Sequence, residues 1–277
     1  MAITNFLPAV WSETLYQQLD TQYLGVANCN RDFDGDIKGI GSAVKICGVG
    51  NIDIVDYTKN SNMNEPQELT DTVCEIRIDK AKCFNFQIDD IDRTQASPKL
   101  MEAAMKNAAS ALAAEADAYI YSLFDQADAE FIKDDPQGAE IVDAIIDARQ
   151  YLYEHNVNDN EEVVVEITPA VAALLLKTKL TLATDNSAAL EHGYLGSIAG
   201  CKIYVSNNVK VEDDGVYYYH CCGMRTKRAI AFAEQISDIE AYRPEKRFAD
   251  AVKGLHLYGA EIVYPEELVM IKIGFAQ

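Results

Sequence analysis

The sequence predicts a mixed α+β protein, and three observations carry that prediction. Apolar residues alternate with polar ones through Ala43 to Ile88 and again in the tail from Ile239 to Ile273, the period of half-buried antiparallel strands. An alanine-rich run keeps a helical period from Pro98 to Phe124, with no later Gly or Pro to interrupt it. A third block, 138 to 233, mixes helical stripes with short alternating runs, as an α/β unit does.

Composition excludes several classes. The chain has 277 residues, 49% hydrophobic and 25% charged, enough for one large domain or two modest ones with a real core. Its 24 Lys and Arg face 44 Asp and Glu, a net charge of −20. A protein that coats phosphates needs a positive face to displace counterions, so this chain is not expected to hold nucleic acid that way. Seven cysteines (Cys29, Cys47, Cys74, Cys83, Cys201, Cys221 and Cys222) are odd in number and follow no disulfide framework. Met1 to Trp11 lack a basic start and a long apolar core, which argues against a secretory signal. No apolar run approaches the roughly 20 residues of a membrane helix. A reducing cytosol is the expected place of synthesis.

The elements follow in order. Residues 1–42 read as an arm, in which Phe6, Val10, Trp11 and Leu15 stripe one short helix before a stretch rich in glycine and aspartate, Gly25 to Gly41. Such an arm cannot bury Phe6 and Trp11 by itself and needs a surface on this chain or on a neighbour. Residues 43–88 read as a long β-hairpin: Val44 and Ile46 flank Lys45, Ile52 and Ile54 flank Asp53, and Cys74, Ile76 and Ile78 alternate with Glu75, Arg77 and Asp79. The polar stretch Thr58 to Gln67 makes its tip. An isolated hairpin is marginal in water, so this one wants a partner. Ser97 as N-cap and Pro98 as first residue open the long helix, with Glu102 in its first turn. Leu100, Ala104, Ala108, Ala111, Ala118 and Phe124, with Leu112, Tyr119 and Leu123, are its expected apolar face along a rod of about 40 Å.

After Gln137-Gly138, Ile141, Val142, Ile145, Ile146 and Leu152 stripe a second helix. Glu162 to Ile167 reads as a buried strand, and Thr168-Pro169 opens a helix through Ala172, Leu175 and Leu176. Cys201, Ile203 and Val205 alternate, Asp213-Asp214-Gly215 turns the chain into Val216 to Cys222, and Leu255, Leu257, Val269, Ile271 and Ile273 return it to strands.

Motifs of chemistry are weak. Gly39-Ile40-Gly41-Ser42-Ala43-Val44 has Val44 where a dinucleotide turn needs its third glycine. Asp32, Asp34 and Asp36 start like a calcium loop, but Ile37 and Ala43 replace its glycine and its bidentate glutamate. His220-Cys221-Cys222 makes a poor chelate, because adjacent strand residues point to opposite faces. Nothing local pairs Cys201 with His192, and Asp89-Asp90 and Asp134-Asp135 read as solvated faces. No catalytic, cofactor or metal residue is assigned. Charge is unevenly placed: Asp125 to Glu162 holds twelve acids against Lys133 and Arg149, while Arg225, Lys227, Arg228, Arg243, Lys246, Arg247 and Lys253 gather between 225 and 253. Opposed patches favour head-to-tail association.

The order of these pieces resembles the major capsid proteins of tailed bacteriophages, with the Hong Kong 97-like fold. The resemblance rests on Ile52-Asp53-Ile54-Val55-Asp56-Tyr57, on Phe84-Asn85-Phe86-Gln87-Ile88-Asp89-Asp90-Ile91-Asp92 leading into Ser97-Pro98, and on Gly200-Cys201-Lys202-Ile203-Tyr204-Val205-Ser206-Asn207-Asn208. It implies an N-arm (1–42), an E-loop hairpin (43–88), a P-domain (89–137 and 234–277, with a spine helix over about 98–124) and an α/β A-domain (138–233). It further implies a non-enzymatic coat protein that forms pentamers and hexamers of an icosahedral head around double-stranded DNA, without sequence-specific binding. Assembly is expected in the bacterial cytoplasm with portal and maturation proteins. Because the arm starts at Met1, the scaffolding protein is expected to be separate. Phe6, Trp11, Tyr57, Lys59, Asn60, Arg225, Arg228, Arg243 and Arg247 are the expected inter-subunit residues. Lys59 and Asn60 sit where one relative forms a Lys–Asn crosslink, and no crosslink is expected here. The alternatives are an encapsulin-type protein-cargo shell, an acidic cytosolic α/β enzyme, and a tail-tube or head-connector protein.

Overall fold

The computed structural model describes residues 15, 18–19, 22–33, 41–49, 71–89, 99–157, 161–177, 194–246 and 248–276. The strands, in chain order, are β1 (Ala43–Val49), β2 (Asp71–Arg77), β3 (Lys80–Asp89), β4 (Ala129–Asp134), β5 (Val163–Ile167), β6 (Tyr194–Ile198), β7 (Cys201–Val205), β8 (Val211–Asp213), β9 (Tyr217–Thr226), β10 (Ile230–Tyr242), β11 (Ala249–Ile262) and β12 (Leu268–Ala276). The α-helices are α1 (Lys99–Ser122), α2 (Gly138–Glu154) and α3 (Pro169–Lys177).

The strands build three sheets. β1 and β2 form an antiparallel pair with Ala43 opposite Arg77 and Val49 opposite Asp71, which is the expected base of the hairpin. Ile52, Ile54 and the tip Thr58 to Gln67 lie outside the described residues. β3, counted with the hairpin from sequence, instead pairs with β11 in a three-stranded sheet of order β10-β11-β3. The largest sheet runs β4-β12-β9-β5-β7-β6, with β8 also on β9, and its β12–β4 and β5–β7 pairs are parallel.

That sheet takes strands from three of the expected segments. β4 and β12 fall in the segments 89–137 and 234–277, yet β12 lies between β4 and β9 in the same sheet as β5 and β7. Alternation in a sequence shows that a strand exists, and only non-local pairing shows which sheet takes it.

The seven-stranded sheet is covered on both faces, so successive strand residues enter different cores. Leu268, Met270 and Cys221 face a core built with α1. Val269, Ile271, Ile273 and Cys222 face a core built with α2 and α3. The two cysteines point to opposite faces, as expected, and both are buried. α1 packs on both larger sheets, since Phe232, Val252, Tyr258 and Ala260 of β10 and β11 share its core. The other face of β10–β11 takes Val44, Ile76 and Ile78 from the hairpin base and the turn after it. Gly259 permits that approach: a Cβ there would overlap the Arg77 carbonyl. Gly223 of β9 likewise leaves room for the Phe124 ring, in the turn that follows α1.

The helices exist where the pattern puts them, but their faces are turned. In α1 the buried apolar residues are Met105, Ala109, Leu112, Ala113, Ala116, Ile120 and Tyr121, whereas Ala111 and Ala118 are exposed. Alanines surround this helix, so their spacing cannot fix its phase; Met105, Ile120 and Tyr121 do. The residues Ser97 and Pro98 and the side chains of Leu100 and Glu102 lie outside the described set. In α2, Ala144 and Ala148 are buried beside Ile141, Ile145 and Leu152, while Ile146 is exposed. In α3, Val171 joins Ala172 and Leu175 inside, and Leu176 is outside.

Candidate functional site

Residues 22–33 form a strap laid across the subunit and tied down at two places by buried charge. Leu15, Leu19, Tyr23, Val26 and Cys29 enter the α1 core, so the described part of the arm buries its apolar side on its own chain. The first tie is centred on Gly25. Asp117 of α1 accepts hydrogen bonds from the amides of Leu24 (3.0 Å) and Val26 (2.9 Å). Arg225 of β9 is fully buried. It donates through Nε and Nη2 to the two carboxylate oxygens of Glu166 (2.9 and 3.0 Å). It also donates to the carbonyls of Asn28 (2.7 Å) and Gly25 (2.8 Å). The Asn28 side chain donates to Glu166 at 3.0 Å. Arg225 stands opposite Val164 on the neighbouring strand, which brings Glu166, two residues on, to the same face. Burial pushes the Asp117 carboxyl up to about 6, against the pull of the strap amides.

The second tie lies on β10. Glu234 accepts from the Tyr23 hydroxyl, from Arg31 Nη2 (2.5 Å) and pairs with His256 Nε2 (2.8 Å). Burial would raise this carboxyl, but the His256 hydrogen bond and charge, with Tyr23 and Arg31, hold it below the usual range. Asn30 pairs beside β10 in a single parallel bridge, its amide donating to the Ile230 carbonyl and its carbonyl accepting from the Phe232 amide, each at 2.9 Å.

The expected basic patch is largely consumed within the subunit. Arg225 is corrected outright: with no exposed surface it cannot meet a neighbour, and its charge fastens the strap. Arg228 is half exposed and ion-pairs with Glu267 and Glu161. Arg243 reaches Asp250 (3.3 Å) and Lys253 reaches Glu240 (2.7 Å). Phe6, Trp11, Tyr57, Lys59, Asn60 and Arg247 lie outside the described residues. On the acidic side Asp125, Glu130 and Glu162 pair with Lys210, Lys272 and Lys202, while Glu140, Asp143, Asp147 and Glu154 face solvent along α2.

One group of potential metal ligands converges among the described residues, Asp125, Glu212 and Cys221, with ligand atoms within 4.8 Å. Lys210 Nζ already sits 2.5 Å from Asp125 and 2.6 Å from Glu212, and Lys272 is 3.4 Å from Glu212. Two ammonium groups therefore hold the place a cation would take. Burial pushes the Cys221 and Cys222 thiols up to about 12, far from the thiolate a nucleophile needs. His220 is lowered by burial and stacks edge-on against Phe275. Cys201 is buried, and His192 lies outside the described residues.

Sequence reasoning missed the residues that organise the strap: Asp117, Glu166, Glu234 and His256. Glu166 did carry a signal, a lone carboxylate inside Val163-Val164-Val165-Glu166-Ile167, since a buried charge implies a partner. Asp117 interrupts the alanine stripe in the same way.

No family model and no curated protein matches the sequence. Solved structures do match. The capsid of Ralstonia phage GP4 matches with a TM-score of 0.72 over 94% of this chain and 91% of that one, at 11% identity. The chain has the fold of a phage capsid protein. A structure from Mycobacterium phage Che8 matches at 28% identity and a TM-score of 0.70, covering 90% of this chain and 91% of the other. A virus-like particle from Pyrococcus furiosus matches with a TM-score of 0.58 and 11% identity over 94% of this chain and 96% of that one. The fold is therefore matched over nine-tenths or more of this chain.

Proposed function

We propose that this chain is the major capsid protein of a tailed bacteriophage, a shell subunit and not a catalyst. The observation that carries the reading is the agreement of almost the whole chain with capsid subunits. In the terms of that fold, α1 is the spine helix, the three-stranded sheet the P-domain, the seven-stranded sheet the A-domain, and β1–β2 the root of the E-loop. Copies join by heterologous contacts into pentamers and hexamers that close an icosahedral head around double-stranded DNA. The hairpin lies over the adjacent subunit, with Tyr57, Lys59 and Asn60 near the contact. Phe6 and Trp11 of the arm, and Arg228, Arg243 and Arg247, are the other contact residues. A net charge of −20 supports a wall along which DNA packs without sticking. Assembly uses a separate scaffolding protein, a portal and maturation proteins in the bacterial cytoplasm, and the product resides in the virion.

The match to a virus-like particle favours a second reading, a shell around protein cargo. One experiment tests both. The protein is expressed alone and with the scaffold gene of the same genome, then studied by negative-stain electron microscopy, light scattering and nuclease protection. Capsomer rings or closed shells that protect DNA after packaging are the expected result. Closed shells that form unaided and enclose only protein favour the second reading. A monomer or dimer under every condition overturns both.

A further inference from the structure

The first tie of the strap has an unbalanced charge. Asp117 and Glu166 bring two carboxylates to a buried site that holds one guanidinium, Arg225. Glu166 takes both side-chain hydrogen bonds that Arg225 gives to carboxylates. Asp117 is left with the strap amides of Leu24 and Val26, and it is 2% exposed. A second buried carboxylate beside an already paired ion is destabilised both by lost hydration and by its like-charged neighbour.

We propose that residues 22–33 are a strap whose hold on the subunit tightens on acidification, with Asp117 as the group that takes up the proton. The groups facing Asp117 are Glu166 from β5, Arg225 from β9, Tyr121 from α1, and Tyr23 and Cys29 from the strap itself. Of these, Arg225 stays charged, Tyr23 and Tyr121 stay neutral because burial drives them up, and Cys29 is pushed up to about 11, chiefly by burial. Glu166 accepts hydrogen bonds from Arg225 and from the Asn28 side chain. At the far end of the strap, Glu234 is held low among His256, Tyr23 and Arg31, so it loses its grip only at more acid pH.

The direction follows from linkage. With the strap docked, burial pushes the Asp117 carboxyl up to about 6 against the pull of the Leu24 and Val26 amides. Measured against a carboxyl returned to water when the strap lifts, its contribution is full below the ordinary carboxylate range and is lost as pH rises through about 6. Taking an ordinary carboxyl for the open strap, the opening equilibrium should rise about tenfold between pH 5 and pH 8. The inference concerns the folded subunit alone and stands whatever the chain assembles into.

Hydrogen exchange on the full chain reads this directly. After correction for intrinsic rates, protection at Leu24, Val26 and Asn30 is expected to fall about tenfold from pH 5 to pH 8, with Ala113 and Ala116 inside α1 unchanged. Asp117→Asn should make the strap's protection independent of pH. Equal protection of the wild-type strap at both pH values, or an undiminished pH effect in Asp117→Asn, overturns the proposal. Should that variant fail to fold, the wild-type Asp117 carboxyl can be followed by carbon-13 NMR. A midpoint near 6 supports the strap mechanism, and one in the ordinary carboxylate range refutes it.

Discussion

Glu166 and Arg225 sit on adjacent strands of a sheet covered on both faces, and neither has exposed surface. A pair in such a place adds little net stability over an apolar pair, yet removing one partner strands the other without water. Glu166→Ala should therefore cost about 3–5 kcal/mol in denaturant unfolding; a loss below about 1 kcal/mol would mean the pair is solvated. Joint replacement by Met at both positions should recover only part of the loss, because the Gly25 and Asn28 carbonyls also lose their donor. Glu234 allows a second test at this scale. Its carboxyl is held low in the folded chain, so its stabilisation is full above the ordinary carboxylate range and disappears as pH falls through the lowered value. The gap in unfolding free energy between wild type and Glu234→Gln should be widest near pH 7 and narrow on acidification. A gap that grows as pH falls would reverse the assigned charge state.

At the scale of elements, the hairpin base depends on one missing side chain. β2 crosses β11 so closely at Gly259 that a Cβ would overlap the Arg77 carbonyl. Gly259→Ala should cost about 1–3 kcal/mol of overpacking and raise exchange in β1 and β2 while leaving the seven-stranded sheet protected. Uniform destabilisation of all sheets would show that the hairpin base is not a separable unit. The tip tests the proposed shell directly: deleting residues 58–67 should leave the melting temperature of the subunit near wild type but abolish stable shells. Normal shells from that deletion would remove the hairpin from the assembly mechanism. α1 shows how far a pattern reaches. Its existence was plain from the run after Pro98, but its buried face was not, because alanine occurs on every side and Met105 and Ile120 set the phase.

For the whole molecule, the organisation is one of long-range closure. The last strand lies between β4 and β9, and the strap near residue 25 is fastened by side chains at 117, 166, 225 and 234. Such non-local contacts order slowly, so folding should not complete until β12 is made. A chain truncated after Glu267 is expected to retain helix but lose cooperative unfolding and fail to assemble, as circular dichroism and light scattering would report. A truncated chain that melts in one sharp transition would place β12 outside the folding unit.

The amino-acid sequence by itself determined the three helices, the alternating runs of the hairpin base and of the tail, and the opposite faces of Cys221 and Cys222, but not the short strands β4, β6 and β8. Those features are local, written in the period of apolar residues and in turn chemistry. It did not determine which sheet received β3, β4 and β12, nor that Arg225, one of a group of bases, would be buried. Pairing between distant strands and the partner of a buried charge are properties of three-dimensional neighbourhood. Only the tertiary structure could bring Asp117, Glu166 and Arg225 around one turn of the arm, because desolvation makes a charge costly wherever the fold fails to provide its opposite.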